Sequence, residues 1–157
     1  MTEQEIHITY QEYLSMDELP PEDRDLVAEA KEAMKSAYAP YSHFHVGAAV
    51  RMSNGMIVRG SNQENAAFPS GLCAERTAMF AAGARFPDAD MLSIALVGGE
   101  MGVLTDRLAT PCGACRQVMA QYQHKSGKPM SVILADKAKI WKFEKVDDIL
   151  PLIFDSI

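Results

Sequence analysis

The residues best suited to chemistry are the three cysteines, which lie in two short segments of the chain. Cys73 begins the run Cys-Ala-Glu-Arg, while Cys112 and Cys115 form a Cys-x-x-Cys pair inside Pro-Cys-Gly-Ala-Cys-Arg. A Cys-x-x-Cys pair can bind a tetrahedral zinc ion, and a single further thiolate leaves one coordination position open. Three protein ligands with an open position are typical of catalytic zinc, whereas structural zinc is usually closed by four. We therefore predict that Cys73, Cys112 and Cys115 bind one Zn²⁺ per chain.

Each segment taken alone allows a simpler interpretation. Cys73 alone is typical of a small buried apolar residue, and Cys112 with Cys115 alone fits a redox-active dithiol. Glu75 alone fits an exposed acid that the positive end of a helix favours. Together they match the pattern of zinc-dependent nucleobase deaminases, in which ligand-x-Glu is followed by Pro-Cys-x-x-Cys. The redox interpretation leaves Glu75 unexplained, so we favour the zinc site.

Glu75 is the predicted proton carrier. Zinc can lower the pKa of a bound water from about 16 to about 7, and Glu75 lies two residues from Cys73. It can take that proton and deliver protons to a ring nitrogen and to departing ammonia. Three thiolates leave the ion with a net negative charge, which opposes this acidification. Arg76 is the candidate cation that offsets it, and a solvated arginine on a helix surface is the equally open alternative.

The elements that must position these residues follow from hydrophobic periodicity and turn signals. Both cysteine segments are predicted to begin helices, whose positive ends favour thiolates. An Asn54-Gly55 hairpin turn joins the first two predicted strands. The predicted helices are 21–37, 72–84 and 113–124, the strands are 44–51, 56–61, 92–97, 131–135 and 139–143, and 98–109 is a loop. This order predicts an α/β fold with one mixed sheet and helices on its faces.

Length and charge limit the function classes. A chain of 157 residues predicts one domain, here 20–157, and we interpret residues 1–19 as an N-terminal extension. Acids outnumber Lys and Arg by 21 to 15, which argues against a protein that tracks a nucleic-acid backbone. No signal peptide or apolar run of membrane-spanning length is visible. We expect a cytoplasmic protein with no membrane partner.

Four blocks make the chain resemble the small, homotetrameric, zinc-dependent cytidine deaminases. They are SAYAPYSHFHVGAA at 36–49, NQENA at 62–66, CAERTA at 73–78 and PCGACRQV at 111–118. The resemblance implies a three-layer α/β/α fold around a five-stranded mixed sheet. It also implies hydrolytic deamination of cytidine and 2′-deoxycytidine to uridine and 2′-deoxyuridine, with release of ammonia, in pyrimidine salvage.

The same resemblance implies how a nucleoside substrate is bound. Asn62 and Glu64 would hydrogen-bond the ribose, chiefly its 3′-hydroxyl, and Phe44 would lie against the pyrimidine ring. The Ala74 N–H would contact the base carbonyl oxygen, and the Thr110 carbonyl would accept from the exocyclic amine. The simpler alternatives are a polar pair at a strand end for Asn62 and Glu64, and a core residue for Phe44.

The resemblance further implies a homotetramer in which neighbouring chains complete each site. Phe68 and Phe154 occupy the positions that present aromatic rings to an adjacent subunit's pocket, although Phe154 alone is typical of a docked terminal core residue. Two features depart from the family. Phe68 replaces a frequent tyrosine, and Cys112 follows Cys73 by 39 positions, which exceeds the usual spacing. We place the excess in the 98–109 loop.

Two other functions remain open at this stage. The chain could deaminate a different aminated nucleoside or an antibiotic, because a longer loop beside the pocket would alter substrate preference. It could also be a non-catalytic interaction module stabilised by zinc. The open coordination position and Glu75 argue against the module.

Overall fold

The computed structural model describes residues 1–154, whose strands form one mixed sheet. Its strands are β1 (Gln11–Tyr13), β2 (Phe44–Met52), β3 (Ile57–Ser61), β4 (Met91–Glu100), β5 (Val103–Leu104), β6 (Ser131–Ala135) and β7 (Ile140–Phe143). The order across the sheet is β1-β7-β6-β4-β2-β3, and β5 pairs with β4. β4 and β6 run parallel, whereas β2 is antiparallel to both β3 and β4.

Three α-helices cover the sheet: α1 (Pro21–Met34), α2 (Ala74–Arg85) and α3 (Gly113–Ser126). Proline at the first position of α1 costs no hydrogen bond there, and the acids that follow it suit the positive helix end. Gly127 ends α3 with a φ of 65°, a conformation that glycine adopts freely. Within residues 1–154, no helix combines the length and the apolar character needed to cross a bilayer.

The helices form separate layers because side chains alternate between the two faces of the central strands. On one face, Ala49, Ala95 and Ile133 pack with Leu26 and Val27 of α1. On the other face, the core combines residues of β2, β4 and β6 with residues of α2 and α3, namely Val50, Leu96, Val132, Met79 and Met119. The predicted α/β fold with three layers is confirmed.

Two glycines allow helices to lie directly on the sheet. A Cβ added at Gly47 in β2 would lie 2.0 Å from the carbonyl oxygen of Ala30 in α1. A Cβ added at Gly60 in β3 would lie 2.3 Å from the amide nitrogen of Ala78 in α2. Since α2 carries Glu75, the contact at Gly60 helps fix the position of that side chain above the sheet.

The expected number of strands is wrong, because the described residues contain seven strands rather than five. The two additional strands are short. β1 lies at Gln11–Tyr13, just after the alternating Ile6, Ile8 and Tyr10, and extends the sheet beyond β7. β5 lies inside the segment predicted to be a loop, as does the end of β4. β5 pairs only with Gly99 and Glu100 of β4, and so short a pairing that includes a glycine gives little hydrophobic signal in the sequence.

Candidate active site

The three thiols meet where the N-terminal ends of α2 and α3 converge. Cys73 directly precedes α2, Cys112 directly precedes α3, and Cys115 lies in the first turn of α3. The Sγ atoms of Cys73 and Cys112 are 3.9 Å apart, and those of Cys112 and Cys115 are 3.4 Å apart. All three Sγ atoms lie within 4.8 Å of one another. The structure thus brings together residues that are far apart in the sequence.

This arrangement fits a zinc ion. Zinc–sulfur bonds of about 2.3 Å at tetrahedral angles place sulfur atoms about 3.8 Å apart, close to the separations observed. Thiolates are ligands that zinc prefers. Free N–H groups in the first turns of two helices supply partial positive charge beside the sulfur atoms. The donor set and its surroundings therefore suit a divalent zinc held by Cys73, Cys112 and Cys115.

The Arg76 guanidinium faces the sulfur cluster. Its Nη2 lies 3.6 Å from Cys73 Sγ. The pKa of Cys73 is lowered to about 5, chiefly by a hydrogen bond from Cys115 and also by the interaction with Arg76. The pKa of Cys115 is raised, first by its interaction with the Cys73 thiol and also by its burial. The contact between the Arg76 guanidinium and Cys73 Sγ favours the interpretation of Arg76 as a charge-offsetting residue over a solvated one.

Glu75 is almost completely enclosed, with 4% of its surface exposed. The interpretation of this residue as an exposed helix acid is therefore wrong. Burial raises the pKa of the Glu75 carboxyl above its ordinary value. A carboxylate whose pKa is raised is a stronger base than an ordinary one, which suits a group that must both take and return a proton.

A cavity of about 820 Å³ opens beside Glu75 and the sulfur atoms. Its size is within the range of small-molecule sites, and its wall mixes apolar side chains with a few polar groups. Of the sequence-predicted residues, it is lined by Phe44, Asn62, Cys73, Ala74, Glu75, Thr110 and Cys112. Cys115 is fully buried. One cavity therefore unites the predicted proton carrier with the predicted base-binding residues.

Asn62 and Glu64 are already engaged by the protein. The Asn62 side chain accepts a hydrogen bond from the Val46 amide at 2.8 Å and donates one to the Phe44 carbonyl at 2.9 Å. Glu64 accepts from the Ser42 hydroxyl and from the amide of Tyr41 at 2.8 Å. These bonds, first that of the Ser42 hydroxyl, lower the pKa of Glu64.

Glu64 lies in the wall of an adjoining cavity of about 540 Å³ rather than of the main one. Asn62 and Cys73 line both cavities, so the two spaces share a boundary. Asn62 therefore lies at the boundary between the main cavity and the adjoining cavity that Glu64 lines.

The last residue of β4 and the segment between β4 and α3 form one wall of the main cavity through residues that the sequence did not single out. They are Glu100, Thr105, Arg107, Leu108 and Ala109. The Lys137 amide donates to the Thr105 carbonyl at 3.1 Å, and the Met101 amide donates to the His43 carbonyl at 2.9 Å. These bonds fasten the long segment to neighbouring turns.

Phe68 and Phe154 both point into solvent in the single chain, with exposed fractions of 76% and 66%. Phe68 lines the adjoining cavity and meets the Tyr41 ring edge-on, with 6.1 Å between ring centroids. Gln117 in α3 donates a hydrogen bond of 2.7 Å to the Phe154 carbonyl. The alternative of a docked core residue for Phe154 is therefore wrong.

Arg116 has a role that its place in the sequence does not indicate. Its Nε donates to the Pro111 carbonyl at 2.9 Å, and its Nη1 donates to the Ile149 carbonyl at 2.8 Å. Pro111 directly precedes Cys112. Arg116 thus ties the cysteine-bearing turn to the last part of the chain.

Comparisons with known proteins agree with this site. The family model described as the cytidine and deoxycytidylate deaminase zinc-binding region matches residues 20–127. The cytidine deaminase of Halalkalibacterium halodurans is 48% identical over 99 residues, which cover 61% of this chain and 68% of that protein. The cytidine deaminase of Sporosarcina psychrophila is 44% identical over 100 residues, covering 62% of this chain and 67% of that protein.

Solved structures give the same result. The crystal structure of cytidine deaminase from Burkholderia pseudomallei superposes with a TM-score of 0.71 at 39% identity, covering 83% of this chain and 97% of that one. The cytidine deaminase from Mycobacterium tuberculosis gives a TM-score of 0.68 at 30% identity, covering 87% of this chain and 100% of that one. With its thiol cluster, its buried glutamate and these relatives, the chain belongs to the zinc-binding cytidine and deoxycytidylate deaminase family.

Proposed function

We propose that this enzyme hydrolyses the exocyclic amine of cytidine and 2′-deoxycytidine, giving uridine and 2′-deoxyuridine with release of ammonia, in pyrimidine salvage. The observation that carries the proposal is the meeting of three thiols within 4.8 Å beside a Glu75 that is 4% exposed, at the wall of a nucleoside-sized cavity. Relatives up to 48% identical carry the name cytidine deaminase.

Glu75 transfers the protons in the proposed reaction. Zinc held by Cys73, Cys112 and Cys115 supplies, when bound, the Lewis acidity that activates a water for attack. Glu75 takes a proton from the attacking water and passes it to N3 of the ring as the new C4–O bond forms. It then carries the second proton of that water to the amino group. The C4–N bond breaks, ammonia leaves and a C4 carbonyl remains.

Four residues of the cavity wall position the nucleoside. Ala74 is the first residue of α2, so its N–H has no acceptor within the helix and is free to bind the base carbonyl oxygen. The Thr110 carbonyl accepts from the amine that will leave. Phe44 lies against the ring, and Asn62 holds the ribose with Glu64 from the adjoining cavity.

Assembly, domain organisation and compartment complete the proposal. We propose a homotetramer in which Phe68 and Phe154 enter the pocket of a neighbouring subunit, supported by their exposed fractions of 76% and 66%. Residues 20–157 form the catalytic domain, and residues 1–19 extend it. A cytoplasmic location suits three cysteines that must stay reduced to bind a metal.

The test is a nucleoside panel assayed with metal analysis. Purified protein is given cytidine, 2′-deoxycytidine, cytosine and other aminated nucleosides, and the loss of substrate absorbance is followed with and without a chelator. We expect turnover of both cytosine nucleosides, loss of turnover with the chelator, and recovery on zinc addition. Turnover confined to a different aminated compound, or turnover of cytidine that survives complete removal of metal, would overturn the proposal.

A further inference from the structure

We propose that Gly98 is a specificity-determining position, because it sets how far Phe44 and Ala109 reach into the main cavity. This inference rests on the function proposed above. It assigns a role in substrate selection to a residue that touches neither the metal ligands nor the predicted proton carrier.

A glycine is required at position 98 because there is no room for a side chain, not because the backbone adopts a conformation that favours glycine. It is buried within β4, and it is not among the glycines with positive φ. A Cβ added there would lie 2.8 Å from the Cβ of Ala109 and 2.9 Å from Cε1 of Phe44. Both separations are below normal contact between carbon atoms. Any side chain at this position must therefore displace one or both neighbours.

The two neighbours are opposite parts of one wall. Phe44 begins β2, and Ala109 belongs to the segment that leads to Cys112. Both line the main cavity, together with Leu96 and Leu108. Phe44 and Ala109 both lie against Gly98. Because Gly98 has no side chain, the Phe44 ring and the segment that carries Ala109 can pack close to the sheet. The space left above them is available to a pyrimidine ring.

The strand that carries Gly98 cannot yield instead. β4 is paired with β2 on one side, where Gly98 faces Val46, and with β6 on the other as far as Val97 and Ala135. The next residue, Gly99, pairs with Leu104 of β5. An added methyl group therefore pushes Phe44 and Ala109 outward, into the cavity. A larger residue at 98 makes the cavity narrower where the ring lies.

The substrate class selected by this width is the aminopyrimidine nucleoside, with or without a small substituent on its ring. We expect Gly98→Ala to raise KM for cytidine about tenfold, the effect typical of one methyl group in a binding pocket. kcat should change little, because the lost contact is made equally in the ground state and the transition state. KM for 5-methylcytidine should rise further, because its extra methyl group needs the same space.

Two further variants separate this effect from a general loss of stability. Gly55→Ala is the matched control: Gly55 has a φ of 83° in the β2–β3 turn and open space around it. It should lower the melting temperature and leave KM unchanged. Ala109→Gly removes the nearest contact atom, so in the Gly98→Ala background it should return KM toward the wild-type value.

Ala109→Gly alone keeps the proposal testable if Gly98→Ala does not fold. Loss of the Ala109 methyl group widens the main cavity beside Gly98, so this variant should lower KM for 5-methylcytidine relative to KM for cytidine. An unchanged KM ratio between the two nucleosides, in either single variant with normal zinc content, would overturn the role of Gly98. A wild-type enzyme without activity on any aminopyrimidine nucleoside would instead overturn the proposed function, so the two failures are distinguishable.

Discussion

At the scale of single residues, the proposed zinc ligands could be recognised from two local motifs, whereas the contacts of the proposed substrate-binding residues could not. Cys112 and Cys115 are three residues apart, which places both at the start of one helix. Glu75 lies two residues after Cys73, and this spacing likewise places it in the first turn of α2. By contrast, the bonds from Asn62 to the β2 backbone depend on how two strands pair, and no sequence motif encodes that pairing directly.

Glu64 offers a test of ribose binding at this scale. Glu64→Gln keeps the shape of the side chain and removes its charge. A hydrogen bond to a charged group contributes about 1.5–3 kcal/mol, so kcat/KM for 2′-deoxycytidine should fall roughly tenfold to a hundredfold. Free cytosine, which has no sugar, should be affected far less.

The comparison of the two substrates carries its own control. Glu64 also orders the Tyr41–Ser42 turn through its hydrogen bonds, and a disturbed turn would lower both activities together. Equal losses on 2′-deoxycytidine and cytosine would therefore contradict a contact between Glu64 and the ribose.

At the scale of elements, α1 was predictable from apolar side chains that recur at three- and four-residue steps, and the central strand β4 from a continuous apolar run at 92–97. The end of β4 and the segment after it were not, because Gly98 and Gly99 of β4 carry no hydrophobic signal and β5 is only 2 residues long. Its fastening to Lys137 and His43 joins parts of the chain that are distant in sequence. Tertiary hydrogen bonds decide its course.

Arg116 tests how one element supports the metal site. Arg116→Ala leaves the carbonyl oxygens of Pro111 and Ile149 without their donor. We expect a loss of about 1–3 kcal/mol in the free energy of unfolding and faster zinc transfer to a chromophoric chelator. Arg24→Ala, which removes an exposed pair with Asp17 at 3.7 Å, is the control and should change stability by no more than about 0.5 kcal/mol. Zinc transfer at the wild-type rate from Arg116→Ala would contradict the supporting role.

At the scale of the whole molecule, the sheet with its two helical layers followed from element order, but the closing of the cavity did not. The fifteen residues of the cavity wall come from β2 and the turn before it, the position after β3, β4, the start of α2 and the segment before α3. Their convergence depends on strand order, which the sequence pattern alone leaves open. Phe68 and Phe154 are exposed in the single chain, so contacts between chains are needed to bury them.

The proposed assembly gives a prediction at this scale. Wild-type protein should sediment as a tetramer, and Phe68→Ser should weaken the assembly and lower activity at dilute enzyme concentrations. Val103→Ser, a change at another exposed apolar residue with 70% of its surface accessible, serves as the comparison. A wild-type monomer with full activity at nanomolar concentration would contradict the claim that neighbouring chains complete the site.

The most direct test of the whole account is the rate at which zinc-loaded Glu75→Gln converts cytidine to uridine. The variant retains Cys73, Cys112 and Cys115, so metal analysis should find one zinc per chain, as in the wild type. Loss of the proton carrier should lower kcat by about 10²–10⁴-fold. A Glu75→Gln enzyme that holds zinc and deaminates cytidine at the wild-type rate would contradict the assignment on which the mechanism rests.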